Sequence, residues 1–282
     1  MSATRLELLD HALRQCVESG QLPFARLKVM RHGLLVHDVT VNSGLGTQTE
    51  DSIYRYYSMT KIVTSVATLL AVERGLMRLD DPVEKYIPEA ANAHVVVQGT
   101  AAAGTLQTEP AESMFTVRQC LTHTAGLGYG GLSTAGFGMM NDEVDEAYLA
   151  AGCGADMLAG GMTKFSSLAE LAAVLAAQPL RHHPGQKFDY AMGHVSLMTA
   201  SSSCESLAGS FATGAQILAG RCTEVAMGGD RTLTEIIQQE IFDKLGMENA
   251  GWGVHETDSR VLPMYRCEYT CATRSHIELK CW

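Results

Sequence analysis

Ser58-Met59-Thr60-Lys61 sets a hydroxyl and an amine three residues apart, at the junction of a loop and a helical pattern. Side chains at that spacing share one helix face. A serine at a helix start also meets unpaired backbone N–H groups and the positive end of the helix dipole. An ammonium that loses its water gives up its proton more readily, so a lysine one turn along can serve as base for the serine. The chemistry open to such a pair is acyl transfer through a serine ester. A capping serine beside a surface lysine writes the same string, which arises by chance in about one of some tens of chains this long, so the tetrapeptide alone decides nothing.

The pair needs elements to hold it. Ile62, Val63, Val66, Leu69 and Leu70 recur at helical spacing and predict a helix over 59–74 that buries this stripe and ends at Gly75. Upstream, Leu6, Leu9, Leu13, Cys16 and Val17 predict a first helix within 4–18. Residues 25–30 and 34–41, joined by Arg31-His32-Gly33, predict an antiparallel hairpin. Leu79-Asp80-Asp81-Pro82 reads as a turn opening a new helix, with proline where its missing N–H costs little. Residues 97–114 show no period and read as a surface insertion. Ten of the 27 glycines fall between Gly126 and Gly161, which predicts loop, with helix only around 142–150. Ser167 with Glu170 and Thr232 with Glu235 read as capping boxes, the first opening a helix through Ala177. Residues 201–221 are low in complexity and read as a second insertion.

The 282 residues are 46% hydrophobic and 18% charged, a globular balance that excludes disordered and fibrous classes. Acidic residues number 31 against 21 basic ones, a net charge of −10. That sign repels phosphate backbones and anionic lipid, which argues against nucleic acid and membrane surfaces as partners. The longest nearly apolar run, 62–72, is too short to span a bilayer. The first ten residues lack a basic segment followed by an apolar one, so the expectation is a cytoplasmic protein whose eight cysteines are reduced thiols.

Context then raises the Ser58 pair above chance. Tyr54-Arg55-Tyr56-Tyr57-Ser58-Met59-Thr60-Lys61-Ile62, Glu73-Arg74-Gly75-Leu76 and Leu79-Asp80-Asp81-Pro82-Val83-Glu84-Lys85-Tyr86-Ile87-Pro88 closely resemble the serine β-lactamase and penicillin-binding-protein superfamily. Leu121-Thr122-His123-Thr124-Ala125-Gly126-Leu127 and Ile241-Phe242-Asp243-Lys244-Leu245-Gly246-Met247 resemble its class C β-lactamase-related branch, which includes family VIII carboxylesterases. The likeness runs from about residue 20 to about Tyr265, broken by the two insertions. It implies an α/β (α+β) fold, an antiparallel sheet flanked by helices with a mostly helical region, about 76–250, inserted in it. It also implies roles: Ser58 as nucleophile, with Lys61 and Tyr190 sharing its proton. Tyr190 stands where the family has Y-x-N; a core aromatic with a satisfied hydroxyl is the plainer alternative. Met192 replaces the asparagine and cannot match its hydrogen bond to an amide, which shifts the expected substrate from a lactam to a small ester. No cofactor or metal is implied.

One departure is large. The family carries K-T-G, H-x-G or W-x-G on a strand near its C-terminus, and that strand supplies one of two oxyanion-hole N–H groups. No match follows Tyr190 where it belongs; Gly251-Trp252-Gly253 and His255-Glu256-Thr257 come too early. Residues 1–265 therefore read as an incomplete β-lactamase-related domain with its C-terminal strands missing, and 266–282 as an unmatched tail. Losing one oxyanion donor costs about 2.7–4 kcal/mol in the transition state. The tail's Cys267, Cys271, His276 and Cys281 approach a zinc-knuckle spacing, but the first gap is one residue too long and no glycine precedes His276. Unstructured thiols are the preferred reading. Gly126-x-Gly128-x-x-Gly131 matches a dinucleotide fingerprint only as a string. His123 reads as structural, His182-His183 as a solvated loop, and Asp142, Glu143, Asp145 and Glu146 as a solvated helix face. The resulting expectation is a serine hydrolase acting through an acyl-enzyme on a small-molecule ester. A β-lactamase or D-Ala-D-Ala peptidase acting on an amide, an acyltransferase, and an inactive truncated member stand as alternatives.

Overall fold

His32 and Gly33 both have positive φ, 49° and 77°, the geometry a two-residue turn needs to match the twist of paired strands. The joint closes a tight hairpin where the sequence predicts one. The computed structural model describes residues 2–44, 48–54, 59–98, 105–128, 143–153, 165–190, 195–196, 211–212, 214–251, 259–262, 265–269 and 277–281, of which 98, 195–196, 211–212, 214–216, 265–269 and 277–281 are described by backbone. In chain order the elements begin α1 (Ala3–Glu18), β1 (Phe24–Arg31), β2 (Leu34–Asn42), α2 (Thr60–Glu73), β3 (His94–Gln98) and β4 (Gln107–Pro110). Next come α3 (Val117–Leu121), α4 (Glu143–Ala150), α5 (Leu168–Ala176), β5 (Val195–Ser196) and β6 (Phe211–Ala212). The last are α6 (Gly214–Ala226), α7 (Leu233–Ile237), β7 (Tyr265–Tyr269) and β8 (Ile277–Cys281).

The chain divides into two units, residues 1–54 with 256–282 and residues 55–255. In the first, β1 and β2 pair antiparallel from Phe24↔Asn42 to Arg31↔Leu34. Against this hairpin α1 buries Val17, and His37 Nε2 lies 2.6 Å from Asp10 Oδ1, tying β2 to the helix. Leu9, predicted on the buried face of α1, is exposed. β7 and β8 pair antiparallel with Tyr265 opposite Cys281. The tail is therefore strand over 277–281, a correction to the unstructured reading.

In the second unit, α2 buries Thr60, Thr64, Ala67, Thr68 and Ala71. This corrects the predicted stripe, because Ile62, Val66 and Leu69 are exposed. The reason lies in what α2 packs on. It meets α6 through small side chains, with Thr68 Oγ1 and Thr223 Oγ1 2.9 Å apart. Thr68 Oγ1 also lies 3.1 Å from the Thr64 carbonyl and Thr223 Oγ1 2.8 Å from that of Ala219. Buried hydroxyls satisfied in this way cost little.

Residues 214–221 are core helix rather than insertion, a second correction. Ile217, Leu218, Ala219 and Cys222 are buried, and a Cβ on Gly220 would sit 2.6 Å from Leu233 Cδ2. Their low complexity is the composition that close helix packing demands. Burial pushes the Cys222 thiol up to about 12 and the Cys120 thiol well above its usual value, so both serve as small packing groups. Residues 107–110, likewise predicted as insertion, form β4 antiparallel to β3.

Side-chain caps fix the helix starts. Thr232 and Glu235 form the predicted capping box of α7, and Thr116 with Gln119 forms one at α3. Ser167 accepts from the Glu170 N–H, but the Glu170 carboxylate turns to Ser166, accepting from its N–H at 2.7 Å and its hydroxyl at 2.8 Å. Asp81 anchors the turn ahead of Pro82. Burial opposes its charge, yet bonds from Lys85, Tyr86 and the Arg78 N–H hold its carboxyl down at about 2. The element after Pro82 is a single 3-10 turn, Val83–Lys85.

Candidate active site

Lys61 stands on the first turn of α2, and Tyr190 ends the segment that returns from α5. The Lys61 ammonium lies over the Tyr190 ring, 5.0 Å from its centroid. Cation and ring attract at that range. Ser58 and Met192 lie outside the described residues; Ser58 immediately precedes Met59 in the chain, two residues before α2 begins.

His123 completes the cluster. Its ring centroid is 4.7 Å from that of Tyr190, and Phe188 meets its other neighbourhood edge-on at 6.0 Å. The residue sits just past α3 with φ of 56°, a left-handed conformation that costs a non-glycine residue about 1–2 kcal/mol. In that conformation its carbonyl accepts the Asp189 N–H at 2.9 Å, which brings Tyr190 alongside. The reading of His123 as structural thus holds through its backbone, while its Nδ1 is buried without a hydrogen-bond partner among the described residues.

Burial, and next the Lys61 charge, lower the His123 pKa below 6.5, with Asp189 opposing. A folded imidazole that binds protons less readily than the unfolded one makes stability pH-dependent. The contribution is intact above about pH 6.5 and is lost as the pH falls through the lowered value. His123→Asn keeps a residue type tolerant of positive φ and removes the titration. Its melting temperature should fall less than the wild type's between about pH 7 and pH 5; equal falls would refute this account.

Three backbone bonds hold the Tyr190 segment against the 121–127 stretch. Arg181 N–H donates to Gly126 at 2.7 Å, Gly185 N–H to Thr124 at 2.8 Å, and Asp189 N–H to His123. Gly126 has φ of 86°, and a Cβ there would stand 2.3 Å from the His182 carbonyl oxygen. A Cβ on Gly128 would stand 2.7 Å from Val144 Cγ1. These glycines admit close chain approach, which accounts for the fingerprint-like string; Gly131 lies outside the described residues. His182 is buried, and His183 Nε2 is 3.2 Å from Glu109 Oε1, which corrects the solvated-loop reading of the pair.

Sequence reasoning missed one feature. Asp145, read as part of a solvated helix face, is fully buried on α4 and 2.6 Å from Arg181. Arg181 also reaches Asp189 at 3.2 Å. Nothing in the local pattern distinguished Asp145 from Glu143 or Glu146, which flank it. Among the described residues no group of three or more His, Cys, Asp or Glu could hold a metal ion. Of the knuckle-like residues, Cys267 and Cys281 lie on β7 and β8, and Cys271 and His276 lie outside the described residues. No described helix is long and apolar enough to cross a membrane.

The helices and small antiparallel sheets of this chain belong to the β-lactamase/transpeptidase-like fold class. The chain belongs to the Beta-lactamase family, whose model matches residues 9–200. It is 31% identical to acyltransferase mokF of Monascus pilosus over 138 residues, 45% of this chain and 33% of that one. It is 32% identical to esterase EstB of Burkholderia gladioli over 134 residues, 45% of this chain and 30% of that one. The matches thus span about a third of these curated relatives. The fold is that of EstCE1, described as a hydrolase with promiscuous acyltransferase activity, at a TM-score of 0.68 and 18% identity over 98% of this chain and 58% of that one.

Proposed function

We propose that this chain is a cytoplasmic serine hydrolase that forms an acyl-enzyme on Ser58 from small esters. The observation that carries the reading is Lys61 Nζ poised over the Tyr190 ring, on the turn of helix that follows Ser58. In the proposed reaction the Ser58 hydroxyl adds to the ester carbonyl while Lys61, as the neutral amine, accepts its proton and becomes the ammonium. Tyr190 passes a proton to the departing alkoxide, and the Ser58 N–H supports the oxyanion. Water then adds to the acyl-serine ester, its proton returns through the same groups, and the free acid leaves.

A second reading, transfer of the acyl group to an alcohol instead of water, has support in the names of mokF and EstCE1. The test is intact mass and peptide mapping after incubation with a fluorophosphonate, with turnover of a p-nitrophenyl ester and of nitrocefin measured beside it. The expected result is one adduct on Ser58 and ester turnover outpacing nitrocefin. An adduct elsewhere, or none on a cooperatively folded chain, would overturn the reading; product esters formed from added alcohol would favour transfer.

A further inference from the structure

Tyr190 makes its approach to Lys61 from the end of a segment that a two-sided charged clamp ties to α4. One arm of the Arg181 guanidinium is 2.6 Å from Asp145 Oδ1 and another 3.2 Å from Asp189 Oδ2. Asp145 is completely buried and the Arg181 side chain is 7% exposed, whereas Asp189 is 21% exposed. Burying such a group is costly and is a poor way to gain stability. What a planar guanidinium offers instead is direction, since its fork fixes two carboxylates at once. Asp189 is also the residue whose N–H donates to the His123 carbonyl, and Tyr190 follows it directly.

We propose that Arg181 is a positioning residue: by holding Asp189 to Asp145 of α4 it sets the backbone at Asp189 and thereby places Tyr190 against Lys61. The proposal rests on the Ser58–Lys61–Tyr190 reading for its catalytic consequence, although the clamp itself does not. It adds a requirement that neither the serine–lysine spacing nor the tyrosine motif contains. Acyl transfer at Ser58 depends on α4, through a carboxylate that never meets the substrate.

Asp189→Ala removes the outer half of the clamp and leaves the Asp145–Arg181 pair intact, so it carries the test. Arg181→Met removes both halves and takes the guanidinium from both carboxylates, and its folding is checked by circular dichroism. Two quantities are read: fluorophosphonate acylation rate against pH, and hydrogen–deuterium exchange over residues 186–190. Asp189→Ala should acylate ~10²-fold more slowly, the loss a misplacement of about 1 Å brings. The loss should fall in the limiting rate rather than in the half-saturating concentration, with amide protection lost at residue 189. Asp189→Asn keeps an oxygen for the guanidinium and should restore most of both. Wild-type acylation in Asp189→Ala overturns the proposal, whether or not exchange has changed. Should the wild type itself take no label, the serine reading falls. Exchange then decides the clamp alone, with lost protection at 189 supporting it and retained protection overturning it.

Discussion

Lys61→Met acylates with fluorophosphonate about 10³-fold more slowly than the wild type, within the usual worth of a general base, and Ser58→Ala takes no label. Methionine matches the length of the lysine stem and removes the amine. Two losses must be told apart. The attraction between the Lys61 cation and the Tyr190 ring at 5.0 Å is worth about 0.5–1 kcal/mol at a part-exposed site, which is less than tenfold in rate. A fall of three decades therefore reports loss of the base, not loosening of the ring contact. Far-ultraviolet circular dichroism should be unchanged, because Lys61 is not among the buried residues of α2. Labelling of Lys61→Met at the wild-type rate would remove the lysine from the mechanism.

Gly126→Ala costs about 2–5 kcal/mol of folding stability, the sum of two penalties that act at one atom. The backbone at Gly126, φ 86°, charges an alanine about 1–2 kcal/mol, and forcing a methyl into filled space adds about 1–3 kcal/mol. That methyl would stand 2.3 Å from the His182 carbonyl oxygen and 3.3 Å from Leu180 Cβ. No side-chain rotation relieves a clash with backbone. The Arg181 N–H bonded to the Gly126 carbonyl further prevents the two strands of chain from sliding apart. Urea unfolding followed by circular dichroism should show a large drop in midpoint. Because the displaced segment ends at Tyr190, the molecules that remain folded should label more slowly as well. A midpoint within error of the wild type would show that this approach is looser than the geometry states.

Much of this architecture was legible because local signals and tertiary context agreed. The His32–Gly33 turn and the Thr232–Glu235 box are short-range chemistry, and both stand where the residues place them. The Ser58–Lys61 spacing suggested acyl-transfer chemistry, although Ser58 lies outside the described residues and spacing alone could not reveal that His123 would join Lys61 at Tyr190. Failures arose where packing overrode size. Periodicity favoured Ile62, Val66 and Leu69 as the inner face of α2, but threonines and alanines lie inside, where Thr68 meets Thr223 of α6 at 2.9 Å. Small residues that admit close packing, such as Gly220 against Leu233, made 214–221 read as an insertion. Asp145 was illegible for another reason: a buried carboxylate is spelled like an exposed one until its arginine, 36 positions along the chain by the difference of 181 and 145, is seen beside it.

The seam between α2 and α6 also bears on how such a sequence can drift over generations. Thr68 faces Thr223 at 2.9 Å, and Ala71, Ala219 and Cys222 share one cluster. Helix separation follows the bulk of the facing side chains, so an added methylene on one side is tolerable only with a matching reduction opposite. Replacements along this seam are therefore expected to travel in compensating couples: a threonine becoming valine leaves its partner's hydroxyl bonded to its own helix carbonyl, and an alanine that gains a methyl needs a methyl lost across from it. Lineages would preserve the sum of the volumes while exchanging the individual residues.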